Sequence, residues 1–196
     1  IGGIASAIRL AAKGFRVDVY EAHDKPGGKI AEFYQQGFRF DTGPSLFTMP
    51  RLVEELFELM GEKPEDWFRY SRLNNVTRYF FEDGTQINAY ADPGQLAEEV
   101  EAKTGDKAEQ IRKYLKQAAE LYGITANVFI FNPFRFKTFV GKDGRSAGLK
   151  LHKLDAFRSL HQVNAGFFTD KRLVQLFDRY ATYNGSNPYK TPGTLK

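Results

Sequence analysis

Cysteine is absent from this chain of 196 residues. Its absence excludes disulfides, thiolate metal sites and a cysteine nucleophile, and it suits a reducing, cytoplasmic compartment. Long apolar runs are absent as well. No stretch approaches the roughly 18 uninterrupted apolar residues that a membrane-spanning helix needs. Blocks of one charge are also missing: the net charge is +4, and apart from RKYLK at 112–116 the basic residues are dispersed. That pattern argues for solvated surface charge and against nucleic acid as a partner. Only three histidines occur, His23, His152 and His161, and none has metal-ligand spacing, so no metal site is expected. Aromatic residues, by contrast, are plentiful. The 18 phenylalanines and 10 tyrosines need large apolar surfaces to cover, either a core or a channel for a large apolar ligand.

Hydrophobic periodicity gives the order of elements. Ile4, Ala7, Ile8 and Ala11 mark a helix over 3–13 that stops at Gly14. FRVDVYE alternates as a short strand ending at Glu21, and AHDKPGGK breaks regular structure. GFRFDTGPS reads as a brief strand and a turn, and 49–60 as a helix. VTRYFFEDGTQINAY predicts a hairpin about Asp83-Gly84. Asp92 caps a helix with Pro93 at its first position. Further helices are predicted over 106–122, 151–168 and 171–183. The expected fold class is α/β: an incomplete Rossmann-like part at 1–91 and a mainly helical part at 92–196.

The chemistry lies near the beginning. A dinucleotide-binding unit needs a glycine turn that lets backbone N–H groups approach a pyrophosphate. It also needs a helix whose positive end faces that phosphate, and an acidic residue closing the second strand to take ribose hydroxyls. Gly3 stands where the third glycine of such a turn falls. Ala7 and Leu10 face the sheet, Val17 lies in the second strand, and Glu21 closes it 18 residues after Gly3. Gly27-Gly28-Lys29 follows. Paired glycines there let the chain pass close to a cofactor, and Lys29 can reach a phosphate or a flavin. NAD-binding units do not need that second element, so the combination points to flavin-adenine dinucleotide.

With IGGIASAIRLAAKGFRVDVYEAHDKPGGK, GFRFDTGPSLFTMP and LFDRYATYNGSNPY on view, the chain resembles the phytoene-desaturase type of carotenoid desaturase. These enzymes lie within the flavin amine-oxidase superfamily. The third stretch resembles the subgroup of 3,4-desaturases acting on hydroxylated or γ-carotene-type ends. The resemblance implies the N-terminal part of an enzyme more than twice as long. It implies that Ile1, Gly2 and Gly3 belong to a GxGxxG turn, that Glu21 and Ala22 lie at the adenosine ribose, and that Gly28 and Lys29 follow the pyrophosphate. Asp41, Thr42, Gly43, Pro44 and Ser45 would sit beside the flavin ring. In this family a first strand and a C-terminal segment complete the flavin site, so the chain alone is not expected to hold flavin tightly.

Desaturating a C–C bond removes two hydrogens, one as hydride to flavin and the other as a proton from the neighbouring carbon. The candidate proton carriers are Asp143 and Arg145 in GKDGRS, for which a solvated turn is the plainer reading. Over 128–140, Phe129, Phe131, Phe134, Phe136 and Phe139 alternate with Arg135 and Lys137. That mixture suits a peripheral membrane contact through which a carotenoid enters, and equally suits packing between helices. Two alternatives stand beside a desaturase. One is another flavin oxidase or isomerase of the superfamily. The other is a non-catalytic isoprenoid-binding protein of the GDP-dissociation-inhibitor type.

Overall fold

Ile4, Ala7 and Ile8 recur at helical spacing, and the computed structural model, which describes residues 1–44, 46–133, 135–137, 141 and 154–196, has its first helix there. The described chain divides into two units, Ile1–Ser71 and Arg72–Lys196.

In the first unit α1 spans Gly2–Ala11 and gives way to Gly14 at φ +84°. The strand expected over 15–21 does not form; among the described residues no strand pairs with it. A parallel strand draws its hydrogen bonds from strands brought alongside by crossovers, and the described residues bring none to this stretch. Instead β1 (Glu32–Gln35) and β2 (Phe38–Asp41) pair antiparallel, with Glu32 opposite Asp41. Gln36 and Gly37 turn the chain with φ of 52° and 82°. Two positive φ values match the right-handed twist of a two-residue hairpin. Phe33 and Phe40 then stack across the strands at 5.0 Å. α2 follows at Arg51–Glu58. Ile4, Ala5 and Ile8 of α1 face a groove shared with Val53, Leu56 and Phe57 of α2. None of the described side chains in this unit is fully buried.

The second unit holds the core. β3 (Asn75–Phe80) and β4 (Gln86–Tyr90) form the expected hairpin. Asp83 accepts the Thr85 N–H at 2.9 Å, and Gly84 takes φ 81°. This hairpin groups with the helices that follow it. Asp92 caps α3 (Pro93–Thr104) by accepting the Gln95 N–H at 2.8 Å, and Gly105 ends it in the left-handed region. α4 runs from Ala108 to Phe129, beyond the expected stop at Tyr122. The helix expected over 151–168 is shorter at its start. Residues 151–153 lie outside the described residues, and helix begins only at Leu160. There Ser159 and Gln162 form a capping box that opens α5 (Leu160–Phe167). α6 (Lys171–Asp178) then tightens into a 3₁₀ helix over Arg179–Asn184, so the helix expected to reach Tyr183 changes pitch at its end.

Ile87 of β4, Val100 of α3, Ile111 and Tyr114 of α4, and Leu173 and Phe177 of α6 meet in one buried cluster. Each such side chain contributes about 1.5–3 kcal/mol by leaving water. Polar groups fix the alignment. Tyr114, whose hydroxyl burial pushes well above its ordinary range, donates to Asn164 Oδ1 at 2.7 Å. Asn164 donates to Asp178 at 2.8 Å, and the second Asp178 oxygen meets His161 Nδ1 at 2.7 Å. Asp106 is only 2% exposed and accepts from the Thr169 hydroxyl at 2.7 Å, from Thr169 N–H at 3.1 Å and from Asp170 N–H at 2.9 Å. That carboxylate holds the α5–α6 connection against the start of α4.

Asp106→Ala leaves those donors without an acceptor in a buried place. We expect it to lower unfolding stability by about 3 kcal/mol, with Asp106→Asn costing less because one acceptor remains. Urea denaturation of both variants measures the difference.

Candidate functional site

α1 starts without a side-chain cap and without an acidic residue in its first turn. The first N–H groups of a helix carry its positive end and suit an anionic acceptor. Gly2 and Gly3 face open space, with no atom within 4 Å of where a Cβ would stand. The Ile1 nitrogen lies 3.4 Å from the Gly27 carbonyl, so the helix start and the paired-glycine turn are neighbours. Gly27 takes φ +137°, and a Cβ there would meet the Ile30 carbonyl at 2.6 Å. Gly28 takes φ +63°. Gly43 sits so close to the Lys29 carbonyl that no side chain fits between them. Thr42 explains the approach: its N–H and hydroxyl both donate to the Ala31 carbonyl at 2.9 Å, extending the β1–β2 pairing by one step. Three separate stretches, 1–3, 27–31 and 42–43, are joined in this way.

Beside them opens a cleft of about 720 Å³ lined by His23, Gly28, Ile30, Glu32, Arg39 and Asp41. Arg39 pairs with Asp41 at 2.8 Å and with Glu32 at 3.0 Å, and Lys25 reaches Glu32 at 3.6 Å. The hydrogen bond that Arg39 donates to Asp41, with the charges of Asp41 and Glu32, raises the Arg39 pKa above its usual value. These pairs are exposed, so they order the cleft wall more than they stabilise the fold. Glu21 is exposed, and its carboxylate accepts the His23 N–H at 3.0 Å. That backbone hydrogen bond holds its pKa below the ordinary carboxylate value, so it is an anion at neutral pH. Ala22, Lys29 and Pro44 are exposed on the same loops. Ser45, Asp143 and Arg145 lie outside the described residues, as do His152, Phe134 and Phe139.

Sequence reasoning missed Glu32 and Arg39, which β1–β2 pairing brings to the cleft. The signal was present as alternating EFYQ and FRFD around Gln36-Gly37, but Gln is an unusual first residue for such a turn. His161, set aside from metal binding, is tied to Asp178.

Glycines at a helix start and in an adjoining turn leave room for an anion to approach backbone N–H groups. The sequence profile for flavin containing amine oxidoreductases matches residues 1–189, and the chain belongs to that family. The family carries a Rossmann-like FAD-binding fold, and FAD is its cofactor. The chain is 39% identical, over its whole length, to a 1-hydroxycarotenoid 3,4-desaturase of Flavobacterium sp. (strain P99-3), of which it covers 40%. It is 32% identical over 97% of its length to a lycopene-forming phytoene desaturase of Pseudescherichia vulneris, covering 38% of it. It is 33% identical, again over its whole length, to a hydroxyneurosporene desaturase of Rhodobacter capsulatus, covering 40%. The chain thus spans 38 to 40% of the length of these relatives.

Gly27 and Gly61 both take positive φ, yet only Gly27 has a backbone carbonyl in the way of a side chain. Gly27→Ala should therefore cost about 2–3 kcal/mol and Gly61→Ala about 1 kcal/mol. Thermal midpoints of the two variants provide the comparison.

Proposed function

We propose that the full-length protein bearing this sequence is an FAD-dependent oxidoreductase that desaturates a carotenoid in carotenoid biosynthesis. The observation that carries the reading is the meeting of the glycines at the start of α1 with the Gly27-Gly28 turn, Ile1 lying 3.4 Å from the Gly27 carbonyl. The room left by missing Cβ atoms at Gly2, Gly3 and Gly28 fits the close passage of a pyrophosphate. In this reading the N–H groups of Gly2 and Gly3 take the phosphate oxygens, with Ile1 preceding them and Gly28 and Lys29 flanking. Glu21, already ionised, accepts ribose hydroxyls beside Ala22. Gly43, Pro44 and Ser45 border the flavin ring. When bound, flavin supplies a two-electron acceptor for hydrogen leaving a C–C bond. The chain's own part is to hold the polyene and exclude water. Asp143 and Arg145 are the proposed groups for moving the proton.

Residues 1–91 form the FAD-binding part in this proposal and 92–196 the mainly helical substrate part. Two of the relatives are named for hydroxylated carotenoids, and we take a carotenoid with a hydroxylated end as the favoured substrate. The same reading includes peripheral membrane contact through 128–140. Phe129, Ile130, Phe131 and Phe136 are exposed there, next to Arg135 and Lys137. No described helix is long and apolar enough to cross a membrane.

Purified full-length protein is expected to show a flavin absorption band and to convert a hydroxylated carotenoid to a product with one more conjugated double bond. Product analysis on a carotenoid panel checks this. A protein without flavin that still binds isoprenoid would instead support the non-catalytic alternative. Phe131→Ser with Phe136→Ser is expected to weaken binding to anionic liposomes about tenfold; flotation that matches the unchanged protein would sink the membrane contact.

A further inference from the structure

Among the described residues two arginines are half-buried, Arg172 and Arg179, and their surroundings differ. Arg172 is neutralised by Asp170 and by Asp83, the latter at 2.9 Å. Arg179 makes no ion pair with a described carboxylate. Its guanidinium instead lies over three rings at once, 5.6 Å from the centre of Tyr79, 5.9 Å from Tyr180 and 5.7 Å from Tyr183. It donates to the Tyr79 hydroxyl at 3.1 Å and also hydrogen-bonds the Tyr183 side chain. A guanidinium carries five N–H donors. Ring faces stabilise the cation but accept few of those bonds, so this arginine keeps its charge and has donors to spare.

The backbone builds a second feature at the same place. Three residues per turn in a 3₁₀ helix eclipse side chains at i and i+3. The 3₁₀ helix over Arg179–Asn184 therefore aligns Tyr180 with Tyr183, and Phe177 precedes them by the same interval. The rings stack nearly parallel, Phe177 on Tyr180 at 6.2 Å and 25°, and Tyr180 on Tyr183 at 5.8 Å and 15°. Behind them Phe168 stacks on Phe177 at 4.9 Å and 13°. The series runs from the buried core to Tyr183, which is 59% exposed. Parallel aromatic faces suit a flat conjugated chain, and the guanidinium beside them suits an oxygen at its end.

We propose that Arg179 and Tyr183 form a binding site for the oxygen-bearing end of a conjugated polyene, Arg179 donating to the hydroxyl oxygen and Tyr183, the exposed end of the ring series, stacking on the adjoining double bonds. The inference rests on the carotenoid reading given above and assigns its choice of end group to Arg179. A hydrocarbon end offers the guanidinium no acceptor, so Arg179 favours hydroxylated over unsubstituted polyenes.

The test is equilibrium binding to the flavin-loaded full-length protein, in matched detergent micelles, of a 1-hydroxylated acyclic carotenoid and of the unsubstituted carotenoid of equal conjugation. Arg179→Gln is expected to weaken the hydroxylated ligand about tenfold or more, the range for a hydrogen bond to a charged group, and the hydrocarbon less than twofold. Tyr183→Leu is expected to weaken both alike. Should Arg179→Gln fail to fold, as read by circular dichroism, Arg179→Lys replaces it and is expected to lose the same preference in smaller measure. Equal losses on both ligands, or none on either, overturn the assignment of Arg179 while leaving the carotenoid reading intact. If the unchanged protein binds neither polyene, the carotenoid reading itself falls.

Discussion

A single buried carboxylate governs the second unit. Asp106 stands between α3 and α4 and collects the hydroxyl of Thr169 and the N–H groups of Thr169 and Asp170, partners 63 and 64 residues away in sequence. A buried anion is tolerated only when donors surround it, so the connection between α5 and α6 has one position relative to α4. The start of α6 is thereby fixed. Asp170, held at its backbone by Asp106, caps that helix through the Arg172 N–H, and its carboxylate also receives the Arg172 side chain. Arg172 extends the tie to Asp83 and Thr85 in the hairpin turn. Leu173, Leu176 and Phe177 then enter the core in register, and the 3₁₀ helix beyond them inherits its orientation.

Elements set by local chemistry were legible in the sequence. Asp92-Pro93 marks the start of α3, Asp83-Gly84 turns the second hairpin, and Gly14 follows α1, because each depends on φ values or caps that neighbouring residues supply. Elements set by distant partners were not. Residues 15–21 alternate correctly for a strand, but alternation describes a face and cannot provide the strand next door. The start of α5 was missed because an apolar pattern before it hid the capping box of Ser159 and Gln162. The same division holds at the cleft. Gly27, Gly28 and Gly43 announce themselves because a backbone conformation or close approach leaves no room for a side chain. Glu32 and Arg39 become neighbours only through strand pairing. Asp106 gave no warning at all, since an aspartate before a helix usually signals a cap.

The two units keep their apolar residues differently. In Arg72–Lys196 they converge on Ile87, Val100, Ile111 and Leu173, all fully withdrawn from water. In Ile1–Ser71 the facing sides of α1 and α2 meet across a groove, and hydrogen bonds and glycine geometry carry most of the order at the cleft. A site that depends on backbone placement tolerates side-chain exchange at its rim far better than the addition of one methyl group at Gly43.

Trp67, the one tryptophan of the chain, lies in the first unit, tilted against Phe57 at 6.1 Å and donating to Glu62 at 3.2 Å. The nearly parallel rings of Phe168, Phe177, Tyr180 and Tyr183 lie in the second. Indole emission therefore follows the first unit alone, while far-ultraviolet dichroism is dominated among the described residues by the helices of the second, so one unmodified sample reports whether they come apart together or in sequence.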